Sequence, residues 1–445
     1  MTGSRVTLTQ WISGESSRLS RVRSRLDGRP DPVTLSRHEV ATGQAMKITK
    51  KRALWIVGLM LALLAALSGY VFFISTNAAL SRAEAFEFRR MQVARVGAEN
   101  VFRFFFVSNR TAEPGAGPLI ERIGNQRSSE LLFGSFDTEI EPTLGLGMWL
   151  DESSWLLDEE IQIRNITRLD QTAFIQQLRG MVSASPHQGI LLLVHGLRTD
   201  LDYAMRGTAF LAHILDINAP VLVFDWPGNQ GDTLRGYRQA QRIATTSGAE
   251  FAATLRLLID EVRPQRLWVV ANSLGSQVVV DAISVLAQAP DLADAEREIS
   301  DVILTAPDIS SSRFNAQFKH QLAALVDDTT IYVSSNDRAL LLSRLVNLQR
   351  RLGQSTLDKT DAELIDEIEQ LLELVEVESN DGRVALVDVT PVNRTRNFHN
   401  FSLEVPEYFD DMFLRLTNPG SPLNRQRYQF RTPDGRLYSV LTRGR

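Results

Sequence analysis

The chain has 445 residues, 48 of them basic and 53 acidic, and no cysteine. Nearly balanced charge supplies no global field for nucleic acid, and the missing thiols exclude disulfides, thiolate nucleophiles and thiolate metal sites while fitting an oxidising compartment. The length is enough for a large α/β domain with smaller segments beside it.

Residues 1–52 carry 11 Lys or Arg against 4 Asp or Glu and show no steady periodicity, so they read as a disordered, basic, cytoplasmic leader. Met46 followed by "KITKKR" would itself serve as a start, and residues 1–45 are expected to be dispensable or a mis-assigned extension. Residues 53–74, "ALWIVGLMLALLAALSGYVFFI", contain no charge. As a helix they would span about 33 Å, the thickness of a bilayer core. Lys50, Lys51 and Arg52 precede them directly, which keeps the N-terminus cytoplasmic and places the rest of the chain across a bacterial inner membrane, in the periplasm or outside the cell. A cleaved signal peptide is the weaker reading, since its apolar region usually runs to roughly 7–15 residues. A buried core helix is weaker still, because the segment is apolar on every face.

Beyond the span the chain alternates strands and helices from about residue 78 to 415. Residues 78–100 read as a helix leading out of the membrane. Apolar runs bounded by turn residues fall at 101–107, 190–196, 221–226, 267–272, 302–307, 330–335 and 384–389, with helical spacing at 203–215, 247–263 and 274–288. Strands that lack in-and-out alternation and are separated by helices predict a mostly parallel sheet covered on both faces, an α/β fold. Residues 130–150 read as an antiparallel addition at the sheet edge. Residues 358–381, within a helical insertion at 354–383, hold ten acids and one lysine around leucines at helical spacing. They read as a solvated amphipathic helix, or as a lid over the site. The tail from 416 to 445 contains "RYQFRTPDGRLYSVL", a hairpin around Pro433, Asp434 and Gly435 whose basic charge would suit anionic lipid.

In an open parallel sheet the working residues collect at the carboxyl ends of the strands. The stretch "LWVVANSLGSQVVVDAI" is a strand, a sharp turn and a helix, with Ser273 on the turn. A nucleophile on such an elbow needs small neighbours two residues to either side, and Ala271 and Gly275 supply them; glycine at both positions is the usual form. A serine hydroxyl also needs an imidazole to take its proton and a carboxylate to orient that imidazole. In folds that carry the elbow these follow in the order serine, acid, histidine. Only His320 and His399 lie downstream of Ser273; His320 falls within a helical stretch, and His399 in the polar loop "NRTRNFHNFS" after the last strand is the candidate base. Asp337, after "TIYVSS", and Asp308, after "VILTAP", are the candidate acids, with Asp337 favoured because its strand immediately precedes the histidine-bearing one. The backbone amides of Leu274 and Leu197 are the expected oxyanion donors. His195 reads as a structural residue of that loop, and His195, Asn272 and Trp226 are pocket candidates, with Tyr237 beside them; Trp226 and Tyr237 would serve equally as core aromatics. No metal spacing, phosphate loop or dinucleotide fingerprint appears, so no cofactor is expected.

The segments "LLLVHGL", "VLVFDWPG", "ANSLGSQVV", "LTAPDIS" and "YVSSNDRALLLSR", in this order, resemble a family of bacterial α/β-hydrolases of uncharacterised function related to serine esterases and lipases. The resemblance covers about 100–415 and implies hydrolysis without naming a substrate. Members more often carry histidine directly before the serine, where this chain has Asn272. The combined expectation is a membrane-anchored serine hydrolase that cleaves a small-molecule or lipid acyl ester or thioester through an acyl-enzyme. The competing expectation is a non-catalytic scaffold of the same fold that binds a partner at the membrane.

Overall fold

The computed structural model describes residues 91–97, 100–141, 161–292, 297–310, 313–334, 384–394, 401–418, 426–431 and 437–443, together with parts of 51–70. The chain divides into two compact units, Met1–Phe73 and Ile74–Arg445. In the first, residues 57–68 form a helix whose side chains are all exposed. Among the described residues no helix is long and apolar enough to cross a membrane; part of the expected span at 53–74, and most of the helix expected at 78–100, lie outside them.

In the second unit the strands are β1 (Val101–Ala112), β2 (Ile123–Ile140), β3 (Ile161–Leu169), β4 (Gly189–Val194), β5 (Val221–Asp225) and β6 (Arg266–Asn272). They continue with β7 (Ile299–Thr305), β8 (Val326–Val333), β9 (Val384–Asp388), β10 (Arg427–Arg431) and β11 (Leu437–Leu441). The helices that matter to the site are α1 (Gln171–Ala184), α2 (Leu201–Leu215), α3 (Leu234–Leu257), α4 (Gly275–Leu286), α5 (Lys319–Leu325), α6 (Phe401–Glu404) and α7 (Pro406–Thr417).

Among the described residues all eleven strands join one sheet in the order β10-β11-β9-β8-β7-β6-β4-β5-β1-β2-β3. The run from β11 to β1 is parallel, and β2, β3 and β10 attach antiparallel at the two ends. Both faces of the parallel strands are covered, which is why their sequences do not alternate. Leu192, Val194, Val269 and Ala271 face one core with α1, α3, α4 and α5. Leu191, Leu193, Trp268 and Val270 face the other, with α2 and α7. Each seven anticipated apolar run contributes to a strand of this sheet.

Three parts of the architecture go beyond the reading of the chain. β3, "IQIRNITRL", sits at the sheet edge half in solvent, so its polar residues hide the apolar pattern. β8 begins at Val326, ahead of the apolar run, because the ladder with β7 carries through "VDDTT". The C-terminal hairpin does not stand apart as a tail: β11 pairs parallel with β9, and Arg427 Nε donates to Asp411 Oδ1 of α7 at 3.1 Å. The turn expected at Pro433–Gly435 and the insertion at 354–383 lie outside the described residues.

Candidate active site

β6 ends at Asn272, paired with Thr305 of β7, and the chain turns sharply into α4. Ser273 occupies that turn with φ +50°, left-handed backbone that a non-glycine residue adopts only when its surroundings over-determine it. Three main-chain bonds do so. Ser273 N donates to Thr305 O at 2.9 Å, while Ser276 N and Asp308 N donate to Ser273 O at 3.1 and 3.2 Å. The Ser273 side chain is thereby lifted off the end of the strand at the N-terminus of α4, where the first-turn amides have no acceptor within the helix and the dipole is positive. Its hydroxyl has no hydrogen-bond partner among the described residues.

Gly275 allows the turn to sit where it does. A Cβ there would lie 2.4 Å from His195 O and 2.7 Å from Val194 O, so α4 and the end of β4 touch backbone to backbone. Gly196 repeats the arrangement from the other side: its Cβ would meet Ser273 Cβ at 3.2 Å. The loop after β4 is pinned further by Arg198 N, which donates to Gly228 O at 3.0 Å. Within this loop and the elbow, the amides of Leu197 and Leu274 make no backbone hydrogen bond among the described residues. Both expected oxyanion donors are therefore N–H groups without a main-chain acceptor, carried on two backbone segments in contact.

His195 is held in place on every side. Its Nδ1 faces Gly196 O at 3.0 Å, and its Nε2 faces both Asp225 Oδ1 and Trp226 N at 3.1 Å. The ring stacks on Trp226 with centroids 5.6 Å apart, and Trp226 Nε1 donates to His195 O at 2.8 Å. With both ring nitrogens facing these partners, the ring ties the loop after β4 to β5. Beneath it, Asp225 is fully buried. Burial would raise its carboxyl, but the Arg110 guanidinium and the hydrogen bonds from His195 and Arg110 outweigh it and hold the group at about 2. Arg110 donates through Nε to both Asp225 oxygens at 3.0 and 2.8 Å, and through Nη2 to Thr199 O and Trp226 O at 2.8 and 2.7 Å. Ser108 Oγ adds a bond to Asp225 Oδ2 at 2.6 Å. This network ties β1, β5 and the loop after β4 into one rigid floor. The only hints of it in the sequence are a lone arginine and a lone aspartate at the ends of apolar strands.

Asp308 is buried and its Oδ2 accepts from Tyr237 OH at 2.8 Å. Asp337 and His399 lie outside the described residues. In the chain, the described residue nearest Asp337 is Ser334, buried at the end of β8 and bonded by Asn393 Nδ2 at 2.8 Å, and the one nearest His399 is Phe401 of α6, also buried.

A cavity of about 110 Å³ opens between α2 and the α6–α7 pair, lined by His195, Gly196, Asn272, Thr305, Ser402 and Tyr408 among others. Two of the three pocket candidates, His195 and Asn272, are on its wall. Trp226 is not among the residues lining this cavity; its ring stacks on His195. Asn272 Oδ1 and Ser402 Oγ are buried without a hydrogen-bond partner among the described residues.

Residues 170–388 match the family described as alpha/beta hydrolase of unknown function (DUF900). That region, with the sheet and elbow above, is a domain of the α/β-hydrolase type. A cold-adapted esterase from an Arctic intertidal metagenomic library is 10% identical over 72% of this chain and 97% of its own, with a TM-score of 0.33. An esterase of Pyrococcus furiosus is 12% identical over 64% and 86%, with a TM-score of 0.31. Carboxylesterase CesB of Bacillus subtilis is 12% identical over 52% and 85%, with a TM-score of 0.28. Superpositions this loose transfer no residue roles. No curated protein matches the chain.

Proposed function

We propose that the protein is a serine hydrolase that cleaves an ester or thioester through an acyl-enzyme, with Ser273 as nucleophile, His399 as base and Asp337 orienting it. The observation that carries this reading is the left-handed backbone at Ser273, stabilised by three main-chain bonds, on an elbow closed by Gly275. Ser273 Oγ attacks the acyl carbonyl while its proton passes to the His399 imidazole; the oxyanion is met by the Leu197 and Leu274 amides. The carbon–oxygen or carbon–sulfur bond then breaks, and the leaving alcohol or thiol takes the proton from His399. Water repeats the sequence on the acyl-enzyme and releases the acid.

His399 is supported by its surroundings in the chain: Ser402 and Leu403, three and four residues further on, both line the cavity beside Asn272. Asp308 remains the alternative acid, although its Oδ2 accepts from Tyr237. Anchoring of this domain to a bacterial inner membrane, with the catalytic unit outside the cytoplasm, is supported by the uncharged segment at 53–74 behind its basic flank and by the exposure of Trp55, Leu59, Leu63 and Leu67. An apolar surface of that kind calls for lipid or protein cover.

A fluorophosphonate probe tests the reading. It should label the full-length protein and spare Ser273→Ala. Failure to label a folded wild type would point instead to a non-catalytic scaffold at the membrane.

A further inference from the structure

Gly207 stands in the middle of α2, where glycine is roughly 1 kcal/mol worse than alanine. Its φ is not left-handed, so its conformation does not require glycine, and a Cβ there would meet no atom within 4 Å, so neither does packing. What the missing side chain preserves is space, and that space is the cavity Gly207 lines.

The cavity borders Ser273 through three neighbours: Asn272 precedes it, Thr305 O accepts its amide, and Gly196 packs on its Cβ. Much of the lining is apolar, with Leu193, Leu211, Val223 and Val270 beside Gly207 and Thr208. The lining also offers two buried polar atoms without hydrogen-bond partners among the described residues, Asn272 Oδ1 and Ser402 Oγ. An apolar cavity of 150 Å³ accommodates benzene, so one of about 110 Å³ takes roughly four carbons.

Resting on the serine-hydrolase reading above, we propose that this cavity is the acyl subsite, kept open by Gly207, and that it selects short acyl groups of about four carbons or fewer that carry a hydroxyl for Asn272 and Ser402. The acyl chain enters with its carbonyl at Ser273 and its methyl end against Leu211 and Val223, while a hydroxyl donates to Asn272 Oδ1. Longer chains meet the packed core behind these residues.

The test compares p-nitrophenyl acetate, butyrate, 3-hydroxybutyrate and octanoate on the full-length protein. Ratios of kcat/KM within one variant are read, since they do not depend on how much of that variant is folded. Wild type should favour butyrate over octanoate by roughly tenfold or more. Gly207→Leu should lower the butyrate-to-acetate ratio by a similar factor, and Leu211→Ala should shift preference toward octanoate. The lead of 3-hydroxybutyrate over butyrate should vanish in Asn272→Leu. A wild type that favours octanoate, a ratio unmoved by Gly207→Leu, or no lead for the hydroxylated ester would each overturn the proposal. If wild type takes no fluorophosphonate label, it is the serine reading that has failed; if it labels while the ratios stay unmoved, the acyl subsite alone has failed.

Discussion

Replacing Gly275 with alanine perturbs the contact that sets the geometry of the site. The new Cβ would lie 2.4 Å from His195 O and 2.7 Å from Val194 O, both main-chain atoms that cannot swing aside. Ordinary contact begins at 3.4 Å, so α4 and the loop after β4 must part by about 1 Å. Overpacking of this kind costs about 1–3 kcal/mol, which in a domain of this size lowers the melting temperature by roughly 1–4 °C. The effect on chemistry should be larger. Leu197 follows His195 by two residues, so its amide moves away from the elbow that carries Leu274, and a displacement of about 1 Å in a catalytic group costs roughly 10²-fold. Thermal unfolding followed by circular dichroism, with kcat on a p-nitrophenyl ester measured well below the transition, reads both quantities. A Gly275→Ala protein with wild-type kcat would refute the argument that this backbone contact aligns the oxyanion donors.

Arg110→Met should destabilise the domain by about 3–5 kcal/mol, because it leaves the Asp225 carboxylate buried without its cation; adding Asp225→Asn should recover much of that loss, which chemical denaturation of the single and double variants measures. Asp225 has a folded-state value of about 2, below its usual range, so its contribution is complete above the ordinary carboxylate range and is lost as pH falls from about 4 toward 2. In wild type an unfolding midpoint tracked against pH should fall in that interval, and in Asp225→Asn the fall should be shallower. Asp301, at the start of β7, works in the opposite sense: burial, with Asp327 and Asp328 nearby and despite Arg415, raises it to about 7. Its ionisation is therefore a cost that grows as pH rises from the ordinary carboxylate range to about 7, and Asp301→Asn should melt above wild type at about pH 8 and close to it at about pH 4.

What the sequence revealed follows from how each feature is encoded. The parallel strands announce themselves because both their faces are buried, so "ILLLV" and "LWVVA" are continuous apolar runs. The elbow is equally legible, since Ala271, Ser273 and Gly275 are close in the chain and each answers a local steric demand. β3 escaped notice because an edge strand is half solvated and its polar residues mask the period. The network of Ser108, Arg110, Asp225 and His195 was invisible for a different reason: Arg110 and Asp225 are joined over 115 positions of sequence, and nothing local states that they meet. Trp226 was ambiguous in the sequence because a buried indole and a pocket-lining one look alike there. Gly207 reads simply as a weak spot in a helix until the empty space beside it is seen.

The most direct measurement is to quench the full-length protein early in turnover of a p-nitrophenyl ester and locate the acyl group by peptide mass mapping. The account predicts one acyl group per chain on the peptide that contains Ser273, appearing with a burst of nitrophenol, and no adduct in Ser273→Ala. Turnover with the acyl group on another residue, or a Ser273→Ala protein that hydrolyses the ester as fast as wild type, would contradict it.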